Sequence, residues 1–216
     1  MSIDYQYFFS PSSFDRISLM KMIFPIIKSL PMLFTSYCYG IEWDNDLEEF
    51  RHSFLEIKAE NLNHALAQTI DWNGVSFAFD MPIGSRSIYL WKDRKTNKET
   101  LSIYDNSSLF VSIDEDIDAW KNFEKFLIDI IEAINSDFCI CRADPEMRTV
   151  YTEDIVRLIH EIKEQKNEIN PILIIVKSDL VPSKDIDSTI SGKYQVRFTD
   201  KYLIIKDSYY GTGPKD

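Results

Sequence analysis

The run Pro171–Val176, with the sequence PILIIV, constrains the fold most because it is apolar over the length of a whole strand. A strand with apolar side chains on both faces is stable only where both faces of its sheet are covered. We therefore expect this strand to lie inside a sheet rather than at its edge. A chain of 216 residues is long enough to build one well-formed core around such a sheet.

Local patterns predict both strands and helices along the rest of the chain. Two hairpins are expected, Ser85–Asp93 with Glu99–Asn106 and Tyr194–Phe198 with Tyr202–Lys206, because polar connections separate their strand-like segments. The longest helix is predicted over Asp114–Asn135, where apolar residues recur three or four positions apart. The pattern as a whole indicates four helices and eight to ten strands, and so an α+β fold with a mostly antiparallel or mixed sheet.

The remaining segments complete one predicted globular domain over residues 1–216. Ser12 or Ser13 is expected to cap a first helix that Pro25 kinks or ends. A strand follows at Met32–Ile41, closed near Gly40, and a short one is expected at Leu109–Ile113. The glycine- and proline-containing tail at 211–216 is predicted to be frayed.

The excess of acidic residues makes a basic protein a more suitable partner than a nucleic acid or an anionic membrane. The chain has 24 Lys and Arg residues against 35 Asp and Glu residues, a formal net charge of -11. Nucleic acids and anionic membranes are bound mainly through basic residues, so neither is an expected partner. The basic stretch Trp91–Glu99 is interrupted by acids and is predicted to be a solvated hairpin tip. An acidic surface is instead suited to attracting a basic protein.

Targeting signals and cysteine usage favour the cytoplasm. The N-terminal sequence lacks the basic and apolar segments of a secretory signal. The most hydrophobic region, Met22–Phe34, is broken by Pro25, Lys28 and Pro31, whereas a spanning helix needs about 20 apolar residues. Three cysteines without framework spacing fit a reducing compartment.

Cys139 and Cys141 stand on alternate residues of the stretch DFCICR. In a strand their side chains face the same side in parallel, which is poor geometry for a disulfide. A structural zinc site needs about four ligands, and the other cysteine and the three histidines are scattered. The favoured interpretation is a buried core strand, and a metal or redox pair is the alternative.

The densest acidic run is EWDNDLEEF, Glu42–Phe50. Its opening is similar to a calcium loop, but Glu49 and Leu55 stand where such a loop needs Gly and Glu. A solvated face, a docking surface and a metal site are the three interpretations, in decreasing order of weight. No serine-nucleophile turn, phosphate loop or dinucleotide fingerprint is present, so no catalytic residue, metal or cofactor is predicted.

Aromatic residues are the remaining unusual feature, with 14 Phe, 11 Tyr and 4 Trp. Most are expected in the core, but rings that border acidic sequence are common at protein–protein contacts. Those expected to be partly exposed are Tyr39, Trp43, Tyr209 and Tyr210.

The acidic runs EWDNDLEE and DEDID, the element DAWKNFEKF and the closing hairpin YQVRFTDKYLIIKDSYY together resemble the immunity proteins of bacterial polymorphic toxins. The resemblance is one of character across the whole chain, without a signature motif. It implies a cytoplasmic inhibitor that binds a cognate toxin and is not itself an enzyme. The alternatives are a metal-dependent hydrolase that uses clustered carboxylates, and a structural or adaptor component of a phage or secretion assembly. The predicted partner-binding residues are Glu42, Trp43, Asp44, Asp46, Glu48, Glu49, Asp114, Glu115, Asp116 and Asp118.

Overall fold

In a computed structural model of the protein, ten strands form one sheet with α-helices on both faces. The structure describes residues 5–27, 33–44, 49–80, 85–105, 117–143, 149–167, 170–181, 186 and 193–209. Neighbouring strands pair antiparallel throughout the sheet, and four α-helices lie within the described residues. The predicted α+β class is therefore confirmed.

The strands are β1 Tyr5–Phe9, β2 Leu33–Asp44, β3 Glu49–Lys58, β4 Gly74–Asp80, β5 Ser85–Lys92, β6 Glu99–Asp105, β7 Phe138–Ala143, β8 Leu173–Lys177, β9 Tyr194–Phe198 and β10 Tyr202–Asp207. The helices are α1 Arg16–Ile27, α2 Leu62–Gln68, α3 Ile117–Ile134 and α4 Thr152–Lys163. Across the sheet the order is β3-β2-β4-β5-β6-β1-β7-β8-β10-β9. The two predicted hairpins, β5–β6 and β9–β10, are confirmed.

Two hydrophobic cores lie on opposite faces of the sheet because side chains alternate along each strand. The larger core packs α1, α2 and α3 on one face. The smaller core packs α4 on the other face, over β1, β7, β8, β10 and β9. In β8, Leu173 and Ile175 enter the first core while Ile174 and Val176 enter the second, and the predicted position of this strand inside the sheet is confirmed.

The pair of cysteines on β7 belongs to the first core. Cys139 and Cys141 are buried and free, as is Cys38 on β2. The core-strand interpretation of the DFCICR stretch is therefore confirmed.

Three local predictions need correction. The first helix begins at Arg16, and Asp15 Oδ1 accepts from the Ser18 backbone N–H at 2.9 Å in the place expected for Ser12 or Ser13. The helix continues through Pro25 to Ile27, so of the two outcomes predicted for this proline the end of the helix is excluded and the kink stays a prediction. Strand β2 does not close at Gly40 but continues to Asp44, and the glycine instead lets β3 approach closely: an added Cβ would lie 2.3 Å from Ser53 Oγ.

The tip of the β5–β6 hairpin is only partly solvated, contrary to prediction. Its basic residues are exposed, but Trp91, Asp93 and Glu99 are buried. Asp93 accepts hydrogen bonds from Thr96 and from the Tyr151 hydroxyl at 2.6 Å. The acids that interrupt the basic stretch therefore hold the tip in place.

The predicted strand at Leu109–Ile113, the start of the longest helix at Asp114 and the tail at 211–216 lie outside the described residues. In the part of the chain that the structure describes, no helix is both long and apolar enough to cross a membrane.

Candidate protein-binding surface

The face of β2–β6 that points away from α1, α2 and α3 is the most distinctive surface of the described structure. None of the described residues of these five strands belongs to the core beneath α4. Thr149, which precedes α4, contacts this face at its border. Its Oγ1 accepts a hydrogen bond from Trp91 Nε1 at 3.0 Å. We call this surface the open face.

Four rings form a continuous row on the open face, which we call the aromatic strip: Tyr39 on β2, His52 on β3, Tyr89 on β5 and Tyr104 on β6. Successive ring centroids lie 5.6 Å apart between Tyr39 and His52, 6.0 Å between His52 and Tyr89, and 6.4 Å between Tyr89 and Tyr104. The three tyrosines are half-buried and the histidine is exposed. Each ring therefore presents an edge or a face to solvent.

Two serines, Ser76 and Ser102, lie between the rings of the strip, and we call them the serine floor. Ser76 on β4 lies between Tyr39 and Tyr89 in the strand register, and Ser102 on β6 lies opposite Tyr89. Both serines are buried, and Ser102 Oγ accepts from Gln6 Nε2 at 2.6 Å. The rings of His52 and Tyr89 lean together although β2 and β4 separate their strands. The short floor residues leave room for this contact.

The strip is uncharged at neutral pH. Partial burial of the His52 ring lowers its pKa from the ordinary value, so the imidazole is neutral at pH 7. Neutral tyrosine and histidine rings combine a large apolar area with hydroxyl and ring nitrogen groups for hydrogen bonds. Tyrosine and serine together also dominate antibody binding loops, for the same reasons.

The first predicted acidic run lies beside this surface, on the β2–β3 hairpin. Glu42 is exposed on β2 and stands opposite Arg51 of β3. Within the described residues, β2 pairs with β3 alone beyond Gly40, so this end of the hairpin extends past β4 as a two-stranded ribbon. For Trp43, Asp44 and Glu49 the structure describes the backbone in this ribbon, and Asp46 and Glu48 lie outside the described residues.

The second predicted acidic run lies near the other edge of the sheet. Asp118 is exposed in the first turn of α3 and pairs with Lys121 at 3.0 Å, while Asp114, Glu115 and Asp116 lie outside the described residues. The neighbouring Trp120 contacts Lys206 of β10, which is seven strand positions from β2. Seven spacings of about 4.8 Å amount to roughly 34 Å, so Asp118 and Glu42 do not share one patch.

Tyr89 and Tyr104 were missed by sequence reasoning. Strand alternation places them opposite the buried Ile88 and Ile103, which was a usable signal. What the sequence lacked was the position of α4, the described helix that packs over the other half of the sheet and not over this half. Of the rings expected to be partly exposed, Tyr39 is half-buried and Tyr209 is exposed, as predicted. The side chain of Trp43 and the whole of Tyr210 lie outside what the structure describes.

The described residues form no cluster that could serve as a metal site. Among these residues, no three His, Cys, Asp or Glu side chains come together in a way that could hold a metal ion.

Comparison with known proteins finds weak structural similarity and no sequence relative. No family model matches the sequence, and no curated protein matches it. A similar solved structure is the monomer of AdoMetDC-delta26 from Trypanosoma brucei, with 6% sequence identity and a TM-score of 0.30. The match covers 94% of this chain and 63% of that chain. At this TM-score the similarity carries no argument about fold or activity.

Proposed function

We propose that the protein is a cytoplasmic inhibitor that binds and neutralises a basic protein, in the manner of a toxin's immunity protein. The open face with its aromatic strip is the proposed contact surface, and the acidic β2–β3 ribbon beside it guides the partner. This extends the predicted interface to four residues that lie next to the first acidic run.

The observation that carries the proposal is the row of four partly exposed rings above a buried serine floor. A monomeric protein gains little from leaving such rings uncovered, whereas protein interfaces are enriched in tyrosine at their centres. Tyrosine also loses little conformational entropy on binding because it has only two side-chain torsions.

Charge supports the same proposal. With a net charge of -11, the protein attracts a basic partner from a distance, and the rings then supply short-range contact area. The three described free thiols are compatible with the reducing cytoplasm, where we place the protein.

The test begins with the protein that co-purifies with the tagged chain from its native cell, and with the product of the neighbouring reading frame. The dissociation constant of the purified pair is measured for the wild type and for Tyr89→Ala with Tyr104→Ala. Central aromatic residues of an interface contribute about 2 kcal/mol each, so the double variant should bind at least roughly 100-fold more weakly. Inhibition of the partner's activity should be stoichiometric and should weaken in parallel.

Tyr209→Ala is the matched control, because this tyrosine is 58% exposed and lies outside the strip. Its affinity should equal that of the wild type. Equal affinity of the Tyr89 and Tyr104 double variant and the wild type would exclude the open face as the contact surface. Stabilisation of the free protein by Mg²⁺, Mn²⁺, Ca²⁺ or Zn²⁺ in a thermal shift series would favour the metal-dependent alternative.

A further inference from the structure

Strand β3 is irregular opposite Gly40 of β2. The residues on either side of this glycine pair with His52 and Glu56 of β3, so one residue of β2 stands against the three residues Ser53–Leu55. Bulges of this kind redirect a side chain and are frequent next to functional sites. We call Ser53–Leu55 the edge bulge, because β3 is the strand at one edge of the described sheet.

The contacts of Gly40 show to which side of the sheet the edge bulge directs its side chains. Gly40 pairs with Val75, which belongs to the core beneath α1, α2 and α3, so a Cβ at Gly40 would point to that side. This Cβ would lie 2.3 Å from Ser53 Oγ and 2.8 Å from Leu55 Cβ. Ser53 and Leu55 therefore lie on the helix-covered side. Phe54, between them, points to the side of the open face.

The ring of Phe54 is fully exposed at the tip of the edge bulge. The Leu55 N–H donates to Ser53 Oγ at 3.2 Å, a hydrogen bond that holds the backbone on both sides of this ring. Tyr37 and Leu55 are also exposed, so three of the six large apolar side chains exposed among the described residues lie on the β2–β3 hairpin. Single apolar side chains are ordinary at a protein surface, whereas a group of them marks a contact site.

A second copy of the chain would occupy this group only weakly. The edge bulge interrupts the regular row of backbone groups with which a second β3 strand would pair. Two copies also repel each other, because each has a net charge of -11. Glu56 and Lys58, which follow Phe54 on the same side of β3, carry opposite charges. The attraction of a basic partner therefore comes from the chain as a whole, and the hairpin adds apolar contact area.

We propose that Phe54 is the anchor of the open face, and that its ring enters an apolar pocket of the basic protein that the aromatic strip contacts. The inference rests on the proposed function and deepens it, because it states what the partner must offer: a pocket of the size of a phenyl ring beside a basic surface. Phe54 lies two positions from His52 on the same side of β3, so its ring continues the strip to the edge of the sheet. Interface energy is concentrated in such buried aromatic side chains.

The test uses the full-length protein, and its probe is the purified protein that co-purifies with the chain. Burial of a phenyl ring on binding means that Phe54→Ala should bind this probe at least roughly 10-fold more weakly than the wild type. Phe198→Ala is the matched control, because Phe198 is 43% exposed on β9, at the opposite edge of the described sheet. It should bind the probe like the wild type.

Two further variants test how the ring is presented. Gly40→Ala keeps Phe54 but places a Cβ too close to Leu55 Cβ, so the edge bulge must shift and the affinity should fall. Circular dichroism confirms that this variant is folded. Phe54→Cys adds an exposed thiol to a chain whose described cysteines are buried. Dithionitrobenzoate should label it rapidly in the free protein and slowly at saturating probe, whereas Phe198→Cys should be labelled equally fast in both.

Three results would overturn the proposal. Phe54→Ala could bind the probe like the wild type, Phe198→Ala could weaken binding as much as Phe54→Ala does, or saturating probe could leave the labelling of Phe54→Cys unchanged. Loss of self-association by Phe54→Ala without loss of affinity for the probe would identify a second copy as the occupant, and would overturn it as well.

The failure of this inference differs from the failure of the proposed function. If the Tyr89 and Tyr104 double variant binds the probe weakly and Phe54→Ala binds it like the wild type, only the anchor is wrong. If the purified pair does not bind at all, the proposed function is wrong and the anchor with it.

Discussion

Arg16 Nε donates a 2.6 Å hydrogen bond to Glu99 Oε1, and both side chains are 4% exposed. The same guanidinium donates to the backbone carbonyl oxygens of Thr69, at 2.8 Å, and Asn73, at 3.3 Å. One arginine therefore joins α1, the start of β6 and the connection between α2 and β4.

Replacing this arginine should destabilise the fold strongly. Arg16→Met leaves the Glu99 carboxylate buried without its partner, and breaking a buried pair in this way costs about 3–5 kcal/mol of unfolding free energy. Urea unfolding followed by circular dichroism measures the loss. Arg157→Met is the control, since Arg157 forms an exposed pair with Asp154, and its effect should stay within about 0.5 kcal/mol. Equal stability of the two variants would contradict the anchoring role of Arg16.

The stability contributed by Asp93 should depend on pH. Burial alone raises the pKa of this carboxyl, but hydrogen bonds from Thr96 and Tyr151 outweigh it and lower the pKa below the ordinary value. A group with a lowered folded pKa stabilises the protein above its unfolded pKa of about 3.9, and the contribution is lost as the pH falls further. Asp93→Asn should therefore be destabilising at pH 7, with a difference from the wild type that shrinks below about pH 4.

Urea titrations at a series of pH values measure this difference. Asp71→Asn, at an exposed turn residue, is the control for the replacement of a carboxylate by an amide. A destabilisation by Asp93→Asn that stays constant from neutral to acidic pH would show that the carboxylate charge is not involved.

The cysteines should be unreactive in the native protein. Burial raises the pKa of the Cys38 thiol to about 11, and raises those of Cys139 and Cys141 well above their usual range. The reactive thiolate is therefore scarce as well as inaccessible. A thiol reagent such as dithionitrobenzoate should label none of the three at pH 8 in buffer and all three in guanidinium chloride. Rapid labelling of Cys139 or Cys141 in the native state would revive the redox interpretation of this pair.

The two acidic runs should act independently on binding. Glu42 and Asp118 lie at distant parts of the sheet, and distant substitutions are usually additive. Glu42→Lys with Asp44→Lys, and separately Asp116→Lys with Asp118→Lys, should slow association with the partner, more strongly at low salt. Association rates at two ionic strengths measure the effect.

Glu60→Lys with Glu164→Lys is the matched control, because it changes the net charge equally at exposed positions outside both runs. If all three double variants slow association equally, net charge alone attracts the partner. If neither acidic-run variant slows association, both runs lie outside the interface.

Phe54 should promote self-association without contributing to stability. It is fully exposed on β3, the strand at one edge of the described sheet, and exposed edges with apolar side chains favour contacts between chains. Phe54→Ser should reduce the apparent mass at high concentration in sedimentation experiments and change the unfolding free energy by less than about 1 kcal/mol. Ile70→Ser, at an exposed turn, should leave the apparent mass unchanged.

Local patterns predicted the elements of the fold but not their arrangement. The β5–β6 and β9–β10 hairpins and the burial of β8 follow from short-range alternation and turn residues. The place of β1 between β6 and β7 depends on pairings such as Tyr7 with Ile103 and with Cys141, for which adjacent residues give no signal.

The same limit explains the errors at charged residues. Glu99 looked like part of a solvated tip because its partner, Arg16, lies 83 positions earlier in the chain. Tyr89 and Tyr104 could be assigned to one side of a hairpin from alternation alone. Their exposure depends on where α4 packs. This helix packs over β1, β7, β8, β10 and β9, and the sequence did not indicate that position.

The interior position of β1 also has a consequence for folding during synthesis, because both strands that pair with it are made later. Strand β1 is synthesised before both of its neighbours, and it needs Glu99–Asp105 on one side and Phe138–Ala143 on the other before its backbone is fully hydrogen-bonded. Until Phe138–Ala143 has emerged, Tyr5–Phe9 keeps an unpaired edge that can pair with strands of other chains. Nascent chains stalled before Phe138 should therefore depend on chaperones that chains extended past Ala143 no longer need.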